Sequence, residues 1–559
     1  MAGVSPAKAD SNFLDDTSGS KRKFRLRRPD RWGAFSFLIV AVLCLPIAAV
    51  LIQVGRESES WDNLVKTVLG GYLLNTLILV VGVGMVACLV AVPTAWLVTC
   101  FEFPGRRILS WALLLPLAFP TYVAAFVFYQ GSESAIPFLI WVRNNWGIDT
   151  YLIFELIIRY STLIIMMAAV LYPYIYLACR SSFAQQGRTV LEAARVLGDS
   201  PRQVFFRVGL PMARPGMVAG LALVTMEVIN DYGAVHFFGV PTLTEGVFRT
   251  WFGMGDKVAA LRLASIVMVS IGFLLAFEQL MRGRAQYVEI GDSPAPLARD
   301  RLSGVRGWLA VFLCLLPLAI GFFYPFGKLF RWAWLHLTSD AGFLFTSGEA
   351  IARGTGLAAI TAIFMPLLAA VFAYAVRLRE NRGRKLMERA AGLGYATPGA
   401  VIAVGVLVVF GTFDRWDVPW LPLLSGSLLA IGFAYIVRFF AIPLQFSRAG
   451  MDRVGRPVEE VSMLLGHGPL ATFLRVDLPL LKGPLIAAGM LLFVDILKEL
   501  PLTLILRPAN FETLATTAFS LAKESRLQAC AVPSLMIVLA GAIGLLVMNR
   551  LMVKPSLND

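Results

Sequence analysis

Charged residues are scarce in this chain of 559 residues, at 15% of the total, where a soluble globular protein has about 25%. The deficit is concentrated in apolar stretches that recur along the chain, and each is long enough to cross a hydrocarbon core about 30 Å thick. The mean hydropathy is correspondingly high, at +0.71. The composition therefore excludes a soluble globular protein and indicates a polytopic membrane protein.

Cysteine and histidine are also rare, with six and three residues respectively. The cysteines show no Cys-x-x-Cys spacing, so neither a disulfide framework nor a zinc site is indicated, and His236, His336 and His467 do not cluster. No Gly-x-x-x-x-Gly-Lys-Ser/Thr loop occurs, so the chain lacks the usual cradle for ATP phosphates. We therefore expect no catalytic residue, no metal site and no cofactor bound by this chain.

The net charge of +14 raises the question of a nucleic-acid partner, but the basic residues cluster in short segments such as 21–31 and 377–385. Clusters of this kind between apolar runs are typical of cytoplasmic loops. With the N-terminus inside, the cytoplasmic segments hold about three times as many Lys and Arg residues as the outer segments. We expect both termini in the cytoplasm, membrane lipid around the chain, and no nucleic-acid partner.

Twelve apolar stretches meet the length of about 20 residues that a transmembrane helix needs. They must be helices, because lipid offers no hydrogen-bond partner to loose backbone groups. The predicted fold class is therefore all-α. The predicted spans are 33–54, 72–98, 108–130, 152–179, 216–239, 259–281, 305–327, 350–376, 388–411, 420–446, 484–506 and 529–550.

A polar segment with Pro294 and Pro296 separates the first six spans from the last six. The chain thus divides into two halves of equal span number. The predicted organisation is a cytoplasmic, disordered, basic tail at 1–31, a first six-span half at 32–281, a cytoplasmic linker at 282–304, a second six-span half at 305–552, and a cytoplasmic tail at 553–559.

The two halves share a repeated segment at an offset of 268 residues. Residues 192–211 and 460–479 have nine identities in twenty positions, in the corresponding cytoplasmic loop of each half. The identities include Gly198 with Gly466, and the Leu-Pro pairs that end each segment. Because each half has an even number of spans, both copies have one orientation and would be related by an axis along the membrane normal.

Apolar residues at helical spacing in each copy predict a short amphipathic helix. Gly198 and Gly466 end these helices, where a residue with positive φ costs little, and Pro201 and Pro469 suit the start of a second helix. A single such helix could simply lie on the lipid interface. Two copies at matched positions on the cytoplasmic side make that interpretation less attractive.

The pattern Glu-Ala-Ala-x-x-x-Gly, with an apolar-Leu-Pro at this distance, resembles the EAA loop of importer permeases of the ATP-binding cassette class. The resemblance implies a type I permease fold in which each loop forms a coupling helix seated in a groove of a cytoplasmic ATPase. The second copy departs from the pattern, because Val461 and Ser462 replace the two alanines. The implied coupling residues are Glu192, Ala193, Ala194, Gly198, Pro211, Glu460, Gly466 and Pro479.

Segments 231–242, 248–256 and 495–507 look like the ferric-iron permeases, which fuse both halves in one chain. This resemblance implies a bacterial inner-membrane importer that passes ferric iron from a periplasmic solute-binding protein to the cytoplasm. The implied energy source is a homodimeric ATPase that uses ATP and magnesium. The outer loops near Trp251–Asp256 and Arg507–Arg526 would receive the binding protein.

Charged residues recur inside two predicted spans. Glu227 and Asp231 lie in the fifth span, and Asp495, Lys498 and Glu499 lie in the eleventh; the offset of 268 superposes the two pairs of acids. A charge near mid-membrane costs at least about 2.5–3.5 kcal/mol, so these acids should face the interface between the halves. Acids four residues apart lie on one helix face.

Two interpretations of these acids stay open. They line a translocation path, where hard oxygen ligands suit a hard ferric ion, with Asn230 beside them; or they pair with Lys498 or Arg262 and fix helix packing. The substrate also stays open, since fused permeases for thiamine, and permeases for polyamines or other small solutes, are related. Outside this class the alternatives are an ion-coupled secondary transporter and a membrane scaffold without a substrate.

Overall fold

The computed structural model describes residues 31–196, 200, 203–282, 299–339, 343–378, 381–416 and 423–552. The predicted tails, up to residue 30 and from residue 553, lie outside the described residues, as does most of the predicted linker. Residues Phe101–Glu102 (β1) and Asp300–Arg301 (β2) form a short parallel pair. This pair joins the remaining part of the linker to the first half.

All other regular structure in the described residues is helical. The α-helices of the first half are Arg31–Gln53, Trp61–Leu64, Gly70–Cys100, Arg106–Ala112, Thr121–Ser132, Ile136–Val196, Leu210–Asn230, Gly233–Phe237, Leu243–Phe248 and Lys257–Arg282. Those of the second half are Gly304–Leu318, Tyr324–Ser339, Phe343–Arg377, Arg382–Ala391, Leu393–Ala396, Gly399–Asp414, Leu428–Phe439, Ala441–Val454, Arg456–Leu464, Pro469–Thr472, Leu478–Leu497, Pro501–Leu506, Leu514–Lys523 and Leu527–Met552. Five π-helical turns, at Val65–Leu69, Val204–Gly209, Arg249–Met254, Ala319–Phe323 and Phe473–Asp477, and two 3-10 turns, at Leu115–Ala118 and Glu133–Ala135, complete the set.

The predicted fold class is confirmed. Within the described ranges, nine helices are long and apolar enough to cross a membrane, and eleven if each of two strongly bent pairs counts as one span. One of the eleven, Thr121–Ala184, is interrupted at Gly147 (φ 88°, ψ 175°) and overlaps two of the predicted stretches. Each of the twelve predicted stretches therefore overlaps one of these eleven candidates.

The third span of each half is broken, contrary to the continuous helices predicted at 108–130 and 388–411. Pro120 (ψ 140°) and Pro398 (ψ 141°) stand in extended conformation immediately before the helices Thr121–Ser132 and Gly399–Asp414. Proline has no N–H to donate and disfavours helix in the residue before it. The two elements on either side of Pro398 meet at 108°.

The fifth span of each half is broken as well, so the continuous helices predicted at 216–239 and 484–506 are wrong. Leu210–Asn230 ends at Asp231 (ψ 126°), and Leu478–Leu497 ends at Lys498 before a short helix begins at Pro501. In both halves an acid at the break accepts a hydrogen bond from the next helix. Asp231 Oδ1 accepts from Ala234 N at 2.8 Å, and Glu499 Oε1 accepts from Leu502 N at 3.2 Å.

The first span of each half reaches the other half. Arg31–Gln53 packs on the second half, where Trp32 and Tyr374 meet edge to face with ring centroids 5.7 Å apart. The helix that begins at Tyr324 packs on Leu527–Met552 of its own half and also contacts the first half, where the ring of Tyr324 lies 5.1 Å from that of Phe128. Helices of both halves therefore contribute to the interface between them.

Candidate functional site

The four helix breaks converge on one cavity of about 140 Å³. Non-helical backbone at membrane depth is tolerated only where protein covers it or where it lines a cavity, so the breaks and the cavity explain each other. Its polar and charged lining comprises Thr121, Tyr122, Tyr174, Glu227, Asn230, Asp231 and Tyr232 from the first half, and Tyr395, Arg438, Asp495, Lys498 and Glu499 from the second. The four predicted acids and Asn230 are thus brought together between the halves.

No base among the described residues lies within 4.0 Å of the acids of the first half, although Arg438 and Lys498 are near enough to Glu227 to attract it. Asp231 is buried and accepts three hydrogen bonds, from Thr121 Oγ1, Ala234 N and Val235 N. Its charge is therefore offset by the start of the short helix that follows. Glu227 is only partly buried, and no ion pair within 4.0 Å joins it to a described base.

Each acid of the second half has a basic partner. Lys498 Nζ lies 2.8 Å from Asp495 Oδ1, and Arg438 Nε lies 3.2 Å from Glu499 Oε2. Arg262, the alternative partner predicted from the sequence, is elsewhere: its guanidinium donates to the carbonyl oxygen of Val54 at 3.0 Å and stacks over the ring of Trp61. Pairing with Lys498 is present; pairing with Arg262 is wrong.

Sequence reasoning missed Arg438, Thr121 and the helix breaks. Arg438 was recognisable as a lone base within an apolar run, and Pro120, Pro398 and Pro501 mark three of the four breaks. Near residue 231 the sequence has Gly233 but no proline. The break at Asp231 is therefore the one that the sequence does not mark.

A larger, mainly apolar vestibule of about 470 Å³ adjoins the cavity. The two share Leu117, Tyr174, Tyr395, Asp495 and Lys498. The vestibule extends along earlier turns of the Leu478–Leu497 helix and is also lined by the Ala441–Val454 helix, which leads to the second repeated loop. The vestibule therefore lies on the side of the cavity that faces that loop.

The second repeated loop contains the predicted separate helix, Arg456–Leu464. Its end is stabilised by a complete Schellman motif: Gly466 takes φ +88°, Gly466 N donates to Met463 O at 3.0 Å, and His467 N donates to Ser462 O at 3.2 Å. The positive φ of Gly466 thus agrees with the prediction that this glycine ends the helix. Pro469 begins the next short helix.

This helix buries its polar side and exposes its apolar side. Val461, Leu464 and Leu465 are 55%, 87% and 73% exposed, whereas Glu459 and Ser462 are buried. An apolar face exposed on a surface helix is typical of a site where another protein docks. The predicted coupling residue Glu460 lies on the exposed side.

Buried polar contacts hold the helix to the membrane domain. Glu459 Oε1 lies 2.7 Å from Arg377 Nε, and the hydroxyls of Ser462 and Thr472 are 3.0 Å apart. Burial raises the pKa of Glu459 above its ordinary value, and the neighbouring Arg377 opposes that rise. Glu459, one residue before the repeated motif begins, and its partner Arg377 were not predicted to have a role.

The first repeated loop can be compared only in part. Gly198 and the side chains of Glu192, Ala193 and Ala194 lie outside the described residues. The backbone is helical to Val196, continuous with the fourth span, rather than forming a separate short helix. Pro211 and Pro479 both lie in the first turn of an α-helix that follows a π-helical turn, since each proline removes an N–H from the hydrogen-bond ladder.

The predicted outer docking loops contain a rigid clamp. The Asp256 carboxylate accepts hydrogen bonds from Ser58 Oγ at 2.7 Å, Ser60 Oγ at 2.6 Å and Ala259 N at 2.9 Å. Burial alone would raise the pKa of Asp256, but these hydrogen bonds outweigh it and lower the pKa to about 2. Next to the clamp, Phe252 is exposed.

Among the described residues, no group of three or more His, Cys, Asp or Glu side chains is close enough to hold a metal ion. The four acids of the cavity are therefore not arranged as a ready-made chelate. In this conformation a cation would have to rearrange the side chains to be held by three of them.

Comparison with known proteins places the chain among transport permeases. It is 24% identical over 538 residues, 94% of this chain and 99% of the relative, to the Fe(3+)-transport system permease protein FbpB 2 of Haemophilus influenzae. It is 21% identical over 512 residues, 84% of this chain and 71% of the relative, to the ferric transport system permease protein FbpB of Actinobacillus pleuropneumoniae. It is also 28% identical over 213 residues, 37% of this chain and 72% of the relative, to the sulfate transport system permease protein CysT of Escherichia coli.

The family of binding-protein-dependent transport system inner membrane components matches the chain twice, at residues 84–282 and 362–553. The two matches fall in the two predicted halves, and each includes one copy of the repeated loop. A permease subunit has a transport role rather than an enzymatic one, and the family works with an ATPase and a solute-binding protein. The chain is therefore a multi-pass inner-membrane permease subunit and belongs to the binding-protein-dependent transport system inner membrane component family.

Proposed function

We propose that this chain is a permease, with two halves fused in one chain, of an ATP-driven importer for ferric iron. The observation that carries the proposal is the cavity at the four helix breaks, where four carboxylates face two bases. An excess of negative charge favours a cation and disfavours an anion such as sulfate. Carboxylate oxygens are hard ligands and suit a hard ferric ion. The relative that matches nearly the whole of both chains is named for Fe(3+) transport.

The energy is supplied by a partner. The exposed apolar face of Arg456–Leu464 and its Schellman end support the role of coupling helix, with Glu460, Gly466 and Pro479 as coupling residues. The first copy, with Glu192, Ala193, Ala194, Gly198 and Pro211, would contact a second copy of the same ATPase. ATP and magnesium bind to these ATPase subunits, and the chain itself binds no cofactor.

Contacts of the first helix support the proposed orientation of the chain. Trp32 packs on Tyr374, three residues before Arg377. Because Arg377 pairs with Glu459 of the Arg456–Leu464 helix, the first helix begins on the same side of the membrane as that helix. Both termini are then cytoplasmic, and the loops at Trp251–Asp256 and Arg507–Arg526 face the periplasm, where the solute-binding protein docks. The halves 32–281 and 305–552 rotate about their interface when the ATPase dimer closes, which opens the cavity alternately to each side.

The test is uptake of radiolabelled ferric iron by cells with and without this gene, with labelled thiamine, putrescine and sulfate in parallel. Loss of ferric-iron uptake alone is the expected result. Loss of thiamine or putrescine uptake instead would overturn ferric iron as the substrate. It would leave the permease role standing, because both of these compounds are cations that a negatively charged cavity could also accept. Uptake that survives ATP depletion while the ion gradients are held would contradict ATP coupling.

A further inference from the structure

The repeat is symmetric in its acids but not in its bases. At the offset of 268, Glu227 matches Asp495 and Asp231 matches Glu499. Lys498, however, matches Asn230, and Arg438 matches Val170. All eight residues line the cavity, so every base in it comes from the second half.

The two bases are held differently. Arg438 contacts several elements. It pairs with Glu499, whose carboxylate accepts a hydrogen bond from the start of the next helix, and its guanidinium donates to the carbonyl oxygen of Thr397. Lys498 forms one ion pair among the described residues, with Asp495 at 2.8 Å, and also lies close enough to Glu227 and Glu499 to attract them. A lysine is a compact charge on a flexible stem. Arg438 is therefore part of the framework, whereas Lys498 is able to leave its carboxylate.

The first half offers unpaired oxygen atoms at the same cavity. The side-chain carbonyl oxygen of Asn230 and the hydroxyl of Tyr122 are buried, at 8% and 4% residue exposure, and neither has a hydrogen-bond partner among the described residues. Buried polar atoms without a partner are unusual and call for a ligand. Glu227 lies one helical turn before Asn230 and supplies a negative charge without an ion pair.

We propose that Lys498 is a tethered counter-ion that the transported cation must displace from Asp495. This inference rests on the proposed import of a ferric cation. In the empty cavity the ammonium occupies Asp495. An entering cation binds first to Glu227, Asn230 and Tyr122 of the first half, then replaces Lys498 at Asp495, which brings carboxylates of both halves to one ion.

The tethered charge makes the cavity selective for highly charged cations. Coulomb attraction to a carboxylate scales with the charge of the ion, so a trivalent ion competes with a fixed ammonium far better than a monovalent or divalent ion does. The absence of a ready-made group of three ligands in the described residues agrees with this order of events, since Asp495 becomes a ligand only after Lys498 has moved.

The test exchanges the two residues that break the symmetry. Lys498 and Asp495 are three residues apart, as are Asn230 and Glu227, so Asn230→Lys should place an ammonium on Glu227 in the same way. The variants are Lys498→Asn, Asn230→Lys and the double exchange. Lys482→Asn, at an exposed position on the same helix, is the matched control. Uptake of radiolabelled ferric iron is measured in cells, with Ga3+, Mn2+ and Mg2+ as competitors.

We expect Lys498→Asn to import iron but to become about tenfold more sensitive to Mn2+ and Mg2+, while its inhibition by Ga3+ changes little. Asn230→Lys should lower uptake about tenfold or more, because both sides then carry a fixed cation, and the double exchange should recover uptake and selectivity. The control should match the wild type. Membrane content of each variant is measured by immunoblot, and if Asn230→Lys fails to insert, Lys498→Asn decides alone.

Unchanged competition by divalent ions in an inserted Lys498→Asn variant would overturn the tethered counter-ion and leave ferric-iron import standing. If the wild type itself takes up no ferric iron, the proposed function fails first, and the two failures are thereby distinguished.

Discussion

Gly466 is the position at which the coupling role of the second loop is most directly testable. Its φ of +88° is costly for any residue with a Cβ, by about 1–2 kcal/mol for an ordinary residue. No atom lies within 4 Å of where a Cβ would stand, so a substitution there strains the backbone without creating a clash. Gly466→Val should therefore open the Schellman end of the coupling helix and leave the membrane domain intact.

A cost of about 1–2 kcal/mol corresponds to a factor of about 5–30 in the population of the closed helix end. We expect Gly466→Val to lower ferric-iron uptake by a factor in this range with normal membrane content. The ATPase activity of the reconstituted complex should lose its stimulation by the loaded binding protein. Gly466→Asn is the matched control, because asparagine tolerates positive φ better than other residues do, and it should retain most of the uptake. Wild-type uptake by the valine variant would refute the reasoning.

Three further predictions follow from contacts elsewhere. Gly399→Val should impair uptake more than Gly432→Val does. A Cβ at Gly399 would stand 2.7 Å from both members of the Arg438–Glu499 pair, whereas nothing lies within 4 Å of a Cβ at Gly432. Equal uptake by the two variants would contradict a role for this pair. Since the pKa of Glu459 is raised, packing of the Arg456–Leu464 helix on the membrane domain loses stability as Glu459 ionises, at pH values above about 4.5. The rate of limited proteolysis of the loop should therefore rise with pH, and Glu459→Gln should flatten this rise. An unchanged pH profile in the variant would exclude Glu459 as the source of the pH dependence. The pKa of Asp256 is lowered to about 2, so this residue contributes stability above pH 4 that is lost only as pH falls towards 2. Asp256→Asn should speed hydrogen exchange in residues 55–60 at neutral pH. Unchanged exchange would show that the clamp does not order the outer loop.

The all-α fold class, the positions of the apolar stretches and the match of acids across the repeat could be predicted from the sequence, whereas the breaks in the third and fifth spans were not predicted. Each correct prediction depends on a pattern that spans many residues: apolar length or an offset of 268 residues. The break at Asp231 could not be predicted, because it depends on a hydrogen bond to a helix three residues away and on burial against the other half. The base at Arg438 was visible, but its partner Glu499 lies 61 positions later and only the packing brings them together.

The Arg456–Leu464 helix is a second feature that the sequence could not predict in full. Val461 and Leu465 at helical spacing indicate an amphipathic helix, and the ordinary expectation is that its apolar side is buried. The structure exposes that side and buries Glu459 against Arg377 instead. A sequence pattern defines two faces of a helix but not which of them meets the rest of the chain, and here the apolar face is the exposed one.

The location of the acids gives the coupling helices direct mechanical access to the cavity. From Phe473 the chain is helical through to Leu497, and from Val204 it is helical through to Asn230; at 1.5 Å per residue each segment is about 40 Å long. Each begins beside a repeated loop and ends at the helix break that carries an acid pair. In the proposed cycle, a displacement of either loop would reach Asp495 or Glu227 along one helical segment, which contains a π-helical turn and an internal proline, Pro484 or Pro215. Because the segments approach the cavity from opposite halves, movement of both loops together changes the separation of the two acid pairs, which is the distance that decides whether one cation can contact both.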